Sequence, residues 1–406
     1  MPYMGFLLKL LEVLVMINNN FSPWPSYTLE DAKAVTDVLL SNQVNYWTGQ
    51  ECRKFEKEFA DWSQSKYSIA LSNGTLALDL AFNALSIGEG DEVIVTSRTF
   101  IASVSSIVNS GATPIFVDVD LNSQNIATEL IGAAINNRTK GIVCVHLAGW
   151  PCEMDDIMSL ADQFDLYVVE DCSQAHGAKY KGKPVGSIGH IGCWSFCQDK
   201  IMTTGGEGGM VTTNDKSLWG KMWAYKDHGK SYEAVYEKEH SETFKWLHES
   251  FGSNYRMTEI QAVLGRIQLK IMPDWHNKRL KNINKIWSIA RQCHGLRVPQ
   301  IPEYIDHAAY KCYVFIKLDR LNKNWTRDII IKKITNLGVP CYSGACSEVY
   351  LEKAFDNTGL RPKERLVNAK ELGAASLAFL VHPTLTNEDI SKTCNAIKSV
   401  MDSATS

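Results

Sequence analysis

The sequence predicts an α/β protein in which a mainly parallel sheet lies between two layers of helices, with a smaller α+β domain at the carboxyl end. Runs of valine, isoleucine and other apolar residues alternate with segments of helical periodicity, which is typical of parallel strands buried on both faces. After about residue 273 a mixed pattern follows, which includes the strand-like run 310–318. The 406 residues are enough for one large and one smaller domain.

The first predicted elements are two amphipathic helices, at 29–40 and 50–62, followed by a strand and a third helix. That strand leads through the turn Ser72-Asn73-Gly74 into a helix that we expect to begin at Thr75. The first N–H groups of a helix have no partner within it, and the positive end of the helix dipole faces outward there. The turn therefore indicates a phosphate site; the alternative is an ordinary strand-to-helix turn that binds nothing.

Strands and helices then alternate up to residue 172. The strands are expected at 91–97, 113–120, 141–149 and 166–172, and the helices at 100–109, 127–136 and 153–164. In such sheets, ligands bind at the carboxyl ends of the strands. Six residues that could bind or react fall at or just after the ends of predicted strands, including the first strand and the one before Lys200: Gly74, Thr99, Phe100, His146, Asp171 and Lys200.

Residues 192–215 contain the most reactive candidate. A strand-like run leads to Lys200, a loop with glycines at positions 205, 206, 208 and 209 follows, and a second strand is expected at 210–213. A lysine at the end of a buried strand is poorly hydrated, which favours its uncharged, nucleophilic form. The alternative is a surface lysine beside a flexible turn. Because Lys200 precedes the glycines and no Gly-Lys-Ser/Thr follows, we interpret them as allowing backbone to approach a cofactor closely, not as a nucleotide loop.

The pattern changes after Thr213. Residues 229–253 are charged and irregular, and we expect a long loop over one face. A helix is expected to begin near Thr258 and to be broken or kinked at Pro273, with a second helix at 274–292.

This pattern places a large domain at 16–272 and a small domain at 273–406. Residues 1–15 are interpreted as an upstream extension before a start at Met16. Their apolar run is interrupted by charge, is too short to span a bilayer, and lacks the basic region and cleavage site of a signal peptide.

Composition excludes several classes of partner. A net charge of −3 and the lack of a basic run argue against binding to nucleic acid or to an anionic membrane. The 11 cysteines have no paired CxxC spacing, so we expect reduced, mostly buried thiols and no metal site. A cytoplasmic protein follows from these expectations.

Lys200, Asp171 and the helix start near Gly74 together indicate a cofactor. Asp171 follows the β-branched run of "VVEDCSQAHGA", so its carboxylate is expected to be partly buried and to need a cationic partner. An imine-forming lysine, a buried acid and a phosphate-binding helix start at one sheet edge match the requirements of pyridoxal phosphate. Judged alone, Asp171 has the alternative of a helix-cap or turn acid.

From about Trp47 onward the chain resembles the DegT/DnrJ/EryC1/StrS family of pyridoxal-phosphate-dependent sugar aminotransferases. The resemblance rests on a series of motifs in the family's order. They are "TGQECRKFEKEFA", "LSNGTLALDLAF", "SRTFIASVSSIVNSGATPIFVDVD", "VHLAGWPCEMDDI", "VVEDCSQAHGAKYKGKPVGSIG", "SFCQDKIMTTGGEGGMVTTND", "HGK" and "GSNYRMTEIQAVLGRIQL". It implies the type I fold of pyridoxal-phosphate transferases, in which the large domain contains a seven-stranded sheet.

The resemblance also implies roles around the cofactor ring. Lys200 is similar to the lysine that holds the cofactor aldehyde and then moves a proton between the donor carbon and the cofactor. Asp171 is similar to the acid that pairs with the ring nitrogen. Gln174 resembles the residue near the ring face and its phenolic oxygen, and Phe100 the aromatic residue that packs on the ring.

At the phosphate, the resemblance implies a cup formed by the amides of Gly74 and Thr75, the Thr75 hydroxyl and Ser195. Asn254 is similar to an asparagine that reaches the phosphate of the neighbouring subunit, which implies a homodimer with shared sites. The alternative for Asn254 is a helix cap near Thr258. For Arg256 two interpretations stay open: it contacts the substrate, or it stabilises the turn that contains Asn254.

Two histidines and one segment are not assigned to the substrate site. For His146 and His176 we favour a packing or supporting role over direct binding. The family often has a histidine near substrate in the segment that corresponds to 339–355, and this chain has none there. That difference leaves the usual sugar contacts in doubt and is compatible with a different keto-sugar.

The resemblance implies an aminotransferase that moves an amino group, expected from glutamate, to a nucleotide-linked keto-deoxysugar in polysaccharide, lipopolysaccharide or other glycoconjugate biosynthesis. The diphosphate of such a substrate needs local cations, for which Lys230, Lys238, Lys245 and Arg256 are candidates. Alternatives are a non-catalytic, cofactor-binding regulator of the same fold and a sugar dehydratase, in which a histidine replaces the lysine. A nicotinamide-dependent dehydrogenase would need a GxGxxG after the first strand, which the sequence lacks.

Overall fold

A computed structural model describes residues 21–240 and 245–405 of the chain. The proposed extension at 1–15 and the start at Met16 lie outside the described residues. The larger part is built on a seven-stranded sheet in the order β1-β9-β8-β5-β4-β2-β3. Its strands are β1 (Tyr67–Leu71), β2 (Glu92–Thr96), β3 (Thr113–Val117), β4 (Thr139–Val145), β5 (Tyr167–Asp171), β8 (Ile191–Ser195) and β9 (Gly209–Thr213).

The prediction of a mainly parallel, doubly covered sheet is confirmed. Strands β3, β2, β4, β5 and β8 pair in parallel, and only β9 runs antiparallel to its two neighbours, β8 and β1. Along β2, Val93 and Val95 join the core on one face, and Ile94 joins the core on the other. Apolar residues therefore continue along the strands because both faces are buried.

Helices cover both faces of this sheet. Packed against one face are α3 (Gly74–Ala84), α4 (Ala102–Asn109) and α7 (Lys216–Tyr225). Against the other are α2 (Glu51–Ser63), α5 (Thr128–Ala134), α6 (Met154–Phe164) and the first half of α9 (Glu259–Ala290). The remaining helices of the larger part are α1 (Leu29–Leu40) and the short α8 (Tyr232–Tyr236), so the segment expected to be an irregular loop contains a helical turn.

The carboxyl-terminal part is an antiparallel sheet with helices, as the change in pattern predicted. The four-stranded sheet has the order β10-β12-β14-β13. Its strands are β10 (Leu296–Arg297), β12 (Cys312–Ile316), β13 (Cys341–Tyr342) and β14 (Ser376–Phe379), and its helices are α10 (Arg327–Asn336), α11 (Val367–Ala375) and α12 (Asn387–Ala404). A small sheet of β11 (Ile305–Asp306), β6 (Lys179–Tyr180) and β7 (Lys183–Pro184) connects this part to the larger one.

Helix α9 corrects one prediction. Pro273 does not separate two helices, because a single helix runs from Glu259 to Ala290. Its first half buries Leu269 and Met272 against the large sheet, and its second half buries Ile283, Ile286 and Trp287 in the carboxyl-terminal core. Burial at both ends outweighs the hydrogen bond that proline removes. The domain boundary at 272/273 therefore falls inside a continuous helix and stays a prediction.

Two further expectations concern membranes and thiols. Within the described residues, no helix combines the length and apolar character that crossing a bilayer requires. All 11 cysteines are free thiols, and all except Cys197 and Cys346 are buried. The expectation of mostly buried thiols is confirmed.

Candidate active site

A cleft of about 1260 Å³ opens at the carboxyl ends of the parallel strands, where the carboxyl-terminal sheet closes one side. Most of the residues singled out from the sequence line this cleft. They are Gly74, Thr75, Phe100, Asp171, Gln174, Ser195 and Lys200. The topology therefore brings together residues that are far apart in the chain, as expected from the shared edge of a parallel sheet.

The amino terminus of α3 forms one end of the cleft. The Asn73 side chain caps the helix by accepting a hydrogen bond of 3.0 Å from the Leu76 N–H, and the amides of Gly74 and Thr75 precede that bond. A Cβ atom at Gly74 would lie 2.5 Å from the Cβ of Ser195. Glycine thus lets the helix start lie directly against the end of β8, which places the Ser195 hydroxyl beside free N–H groups. This is a favourable place for a phosphate.

The Asp171 carboxylate lies at the end of β5 and is 6% exposed. It accepts hydrogen bonds from the Ser103 hydroxyl at 2.7 Å and from the Ser173 N–H at 3.1 Å. Both donors are neutral, and no lysine, arginine or histidine in the described part of the chain forms an ion pair with it. A buried carboxylate of this kind is stabilised by a cationic N–H partner.

Lys200 is half-buried in the loop that follows β8. Its backbone is held on both sides, because its N–H donates to the Cys197 carbonyl at 3.0 Å and its carbonyl accepts from the Trp24 indole N–H at 2.9 Å. The Nζ atom lies 5.6 Å from the centre of the Tyr310 ring. With its backbone fixed and its ammonium group free of ion pairs among the described residues, Lys200 is available to react with an aldehyde.

Phe100 and Gln174 both line the cleft, but Phe100 is exposed and Gln174 is held by a hydrogen bond. Phe100 is 66% exposed, so one face of its ring is open to a ligand. The Gln174 Oε1 atom accepts a hydrogen bond of 2.9 Å from the Ala148 N–H, which fixes the direction of its amide. Both arrangements are compatible with the roles predicted from the resemblance, which stay predictions.

Two of the glycines after Lys200 are required by close contacts within the protein. A Cβ atom at Gly209 would meet the backbone of Asn73, and one at Gly208 would meet the Thr204 side chain. These close approaches are between parts of the protein. The glycines therefore bring the loop and β9 against the start of α3, and the interpretation that they allow backbone to approach a cofactor closely stays a prediction.

Asn254 does not line the cleft of its own chain. It is exposed, and its backbone forms a bridge with Asp227. The cap of α9 is Thr258, whose hydroxyl accepts from the Gln261 N–H, so the alternative of a helix-cap role does not apply to Asn254. Arg256 forms an ion pair with Asp227, which supports its role as a brace for this turn.

The two histidines differ in their surroundings. His146 Nε2 lies 3.0 Å from Glu170, which also accepts the N–H groups of Gly186, Ile188 and Gly189. His176 is completely buried between Trp194 and Phe196, and neither ring nitrogen has a hydrogen-bond partner among the described residues. Neither histidine lines the cleft, which agrees with packing or supporting roles.

Several residues of the cleft were not predicted. They come from the loop after β8 and from the carboxyl-terminal sheet, and they include Asp199, Tyr310, Lys311, Tyr313 and Cys346. Cys197 and Cys346, the two thiols that are not buried, are both in this lining. The sequence carried no signal for the distant group, because the contact between the two sheets is not a local property.

The residues present fit pyridoxal phosphate. A helix start with a serine hydroxyl suits the phosphate, a buried carboxylate with neutral donors only suits a protonated ring nitrogen, and a lysine without an ion pair suits the aldehyde. The roles of the individual residues stay predictions.

Comparison with known proteins finds one aminotransferase family and relatives along most of the chain. The model of the DegT/DnrJ/EryC1/StrS aminotransferase family matches residues 25–398. A crystal structure of an aminotransferase from Psychrobacter cryohalolentis is 66% identical, with a TM-score of 0.93 over 95% of this chain and 99% of that one. GDP-perosamine synthase of Caulobacter vibrioides is 36% identical, covering 90% of this chain and 95% of the relative. GDP-perosamine synthase of Escherichia coli O157:H7 is 42% identical, covering 66% and 72% respectively.

Proposed function

Because the chain belongs to the DegT/DnrJ/EryC1/StrS aminotransferase family, we propose that it transfers an amino group from glutamate to a nucleotide-linked keto-deoxysugar, with pyridoxal phosphate as its cofactor. The reaction would serve the biosynthesis of a polysaccharide, such as lipopolysaccharide O-antigen, in the cytoplasm. The GDP-perosamine synthases among its relatives support a nucleotide-linked acceptor. The observation that carries the proposal is that one cleft contains Lys200, Asp171 and the amino terminus of α3.

The chain would hold the cofactor at three points. The Gly74 and Thr75 amides, with the hydroxyls of Thr75 and Ser195, would bind the phosphate. The Asp171 carboxylate would accept the ring N–H and keep the ring nitrogen protonated. Phe100 would cover one ring face, and Gln174 would lie near the ring and its phenolic oxygen.

Lys200 would carry out the proton transfers. When bound, pyridoxal phosphate supplies an aldehyde that takes up the amino group and a ring that withdraws electrons from the reacting carbon. The Nζ atom of Lys200 would remove the proton from the α-carbon of the donor and transfer it to the cofactor. In the second half-reaction it would move a proton in the reverse direction, onto the carbon of the sugar that receives the amino group.

We further propose a homodimer in which Asn254 contacts the phosphate in the site of the second copy. Its exposed position outside the cleft of its own chain supports this arrangement. If the proposal is correct, light scattering will give the mass of a dimer, and Asn254→Ala will weaken binding of pyridoxal phosphate. A monomer in solution that binds the cofactor and is active would contradict it.

The function is tested with purified protein, pyridoxal phosphate, glutamate and a panel of keto-sugar nucleotides. We expect the wild type to show a borohydride-reducible absorbance band and to aminate at least one member of the panel. Lys200→Ala should lose both properties, with amination reduced at least about 10²-fold, because proton transfer and the bond to the cofactor depend on one atom.

The matched control is Lys323→Ala, which removes an exposed lysine and should change neither property. A reducible band that persists unchanged in Lys200→Ala would show that Lys200 is not the reacting lysine. A wild type with the band but no amino transfer to any keto-sugar would favour the regulator of the same fold.

A further inference from the structure

Lys311 is a second lysine in the cleft, and the proposed function gives it no role. It directly precedes β12 and lines the cleft beside Tyr310. The side chain is half-buried, and it forms no hydrogen bond or ion pair with the residues that the structure describes. Its Nζ atom lies 4.9 Å from the centre of the Tyr310 ring. An ammonium group in this situation has lost part of its hydration without gaining an anionic partner.

The charges that line the cleft leave Lys311 as the cation available for a substrate anion. In the part of the chain that the structure describes, the lining cations are Lys200 and Lys311, and the proposed function already assigns Lys200 to the cofactor. Of the four lining carboxylates in the described part of the chain, Asp171 faces the ring site, Asp199 accepts a hydrogen bond from the Tyr310 hydroxyl, and Glu207 and Glu352 complete the set. Behind Tyr310, the Arg279 guanidinium is 1% exposed, and its Nε and Nη2 atoms have no partner among the described residues, so a second buried cation lies near Lys311.

We propose that the Lys311 ammonium group binds the α-carboxylate of the amino donor. This inference rests on the proposed function and adds to it a subsite for the donor. The contact would be a charge-assisted hydrogen bond between Nζ and a carboxylate oxygen, and no bond is made or broken.

The position of Lys311 distinguishes the donor carboxylate from the sugar diphosphate. Nζ of Lys200 and Nζ of Lys311 lie 5.6 Å and 4.9 Å from the centre of the same tyrosine ring. In an amino-acid donor, the α-carboxylate is attached directly to the carbon that reacts near Lys200. In a nucleotide-linked sugar, the sugar ring separates the reacting carbon from the diphosphate. A cation that borders the same tyrosine ring as Lys200 and is affected by the Lys200 charge therefore suits the donor better than it suits the diphosphate.

The protonation of Lys311 agrees with this role. Burial, together with the positive charges of Arg279 and Lys200, lowers its pKa to about 8, against the opposing effect of Asp199. His382 and Tyr310 also face it: burial with the nearby cations keeps the His382 imidazole neutral near pH 7 by lowering its pKa to about 3, and burial with the Asp199 charge keeps the Tyr310 phenol neutral by raising its pKa well above the usual value. Lys311 is therefore charged at pH 7 and loses its charge as the pH rises through about 8.

The test compares the holoenzyme with Lys311→Met, which keeps the length of the side chain and removes the charge. We expect the apparent Kd for glutamate in the donor half-reaction to rise about 10- to 100-fold, the usual cost of losing a hydrogen bond to a charged group. The KM for the keto-sugar nucleotide should change by less than about threefold, since that substrate lacks the carboxylate. Lys311→Arg should recover part of the affinity for glutamate.

A second measurement separates a direct contact from a structural effect. The Kd of 2-oxoglutarate, measured by calorimetry on the wild-type holoenzyme, should increase above about pH 8 as Lys311 loses its proton. In Lys311→Met this pH dependence should disappear. The control is Lys317→Met, an exposed lysine at the other end of β12, which should behave as the wild type does.

The outcomes are distinguishable. Equal weakening of both half-reactions, or an effect confined to the sugar nucleotide, would overturn the donor subsite and leave the aminotransferase proposal intact. An unchanged affinity for glutamate in Lys311→Met would do the same. A wild-type holoenzyme that accepts an amino group from no amino acid would overturn the proposed function and, with it, this inference.

Discussion

The carboxylate of Asp171 is held in place by two neutral donors, Ser103 and the Ser173 amide, and this environment determines what it can do. Neutral donors orient the carboxylate and leave its charge uncompensated. A cationic ring N–H placed against it would gain both a hydrogen bond and a favourable charge interaction. The proposed role of Asp171 thus depends on its charge and not only on its shape.

Asp171→Asn tests this dependence. Asparagine has nearly the same volume and can still accept the hydrogen bond from Ser103, but it does not stabilise a protonated ring nitrogen. We expect kcat to fall about 10²- to 10⁴-fold, with a much smaller change in KM for the sugar nucleotide. Steady-state kinetics with saturating pyridoxal phosphate measures this effect.

The control for this substitution is Asp155→Asn, which changes an exposed acid that pairs with Lys181. It should leave kcat within about twofold of the wild type, as most surface substitutions do. If Asp171→Asn had a normal kcat, the ring nitrogen would not depend on this carboxylate.

The residues that could be predicted from the sequence share one property. Gly74, Asp171 and Lys200 follow strands of the parallel sheet, and the carboxyl ends of such strands meet at one edge. Lys311 and Tyr310 could not be placed in this way, because they precede a strand of the second sheet. Their position depends on how the two sheets pack together, which local sequence patterns do not encode.

At the scale of elements, the start of α3 can contact the end of β8 only if residue 74 has no side chain. We expect Gly74→Ala to destabilise the protein by about 1–3 kcal/mol, because the added methyl group would overlap with Ser195. It should also weaken cofactor binding, since the helix start and the Ser195 hydroxyl would move apart. Thermal unfolding of the cofactor-free protein and a titration with pyridoxal phosphate measure the two effects.

Gly220→Ala in α7 is the matched control. Apart from its chain neighbours and the backbone of its own helix, no described atom lies within 4 Å of a Cβ built at Gly220, so the substitution should stabilise the protein by about 0.5–1 kcal/mol through helix propensity alone. If the two alanine variants had the same stability and the same affinity for the cofactor, the close contact at Gly74 would not matter.

Helix α9 shows where element prediction reached its limit. The spacing of apolar residues predicts helix on both sides of Pro273, and the local rule for proline predicts a break between them. Buried residues on both sides of the proline, including Leu269 and Ile283, hold the helix in two cores at once. Tertiary contacts of this kind are invisible to a local rule for proline.

At the scale of the whole molecule, buried histidines make the fold sensitive to acid. Burial lowers the pKa of His176, His307 and His382 to about 3. An unfolded chain has histidine pKa values near 6.5 and therefore binds protons that the folded chain does not bind. The free energy of unfolding should fall as the pH drops from about 6.5 toward 3, by up to about 1.4 kcal/mol per pH unit for each histidine.

His176→Phe removes one of these groups and keeps an aromatic ring between Trp194 and Phe196. Between pH 6.5 and pH 5, its free energy of unfolding should decrease less steeply than that of the wild type, by up to about 1.4 kcal/mol per pH unit. Denaturant unfolding of the cofactor-free protein at several pH values gives the slopes. His294→Phe, at an exposed position, should keep the wild-type slope. A steep wild-type slope that His176→Phe does not reduce would show that His176 is protonated inside the fold.

The distribution of thiols determines where reagents in the solvent can modify cysteine. Nine of the 11 cysteines are buried, and the remaining two, Cys197 and Cys346, both line the cleft. Burial and nearby carboxylates raise the pKa of both thiols, so each is mostly protonated at neutral pH. Alkylation or oxidation of thiols from solvent would consequently be slow and would begin at the two cysteines of the cleft. Thiol modification would thus block access to the site before it reached the nine buried cysteines of the core.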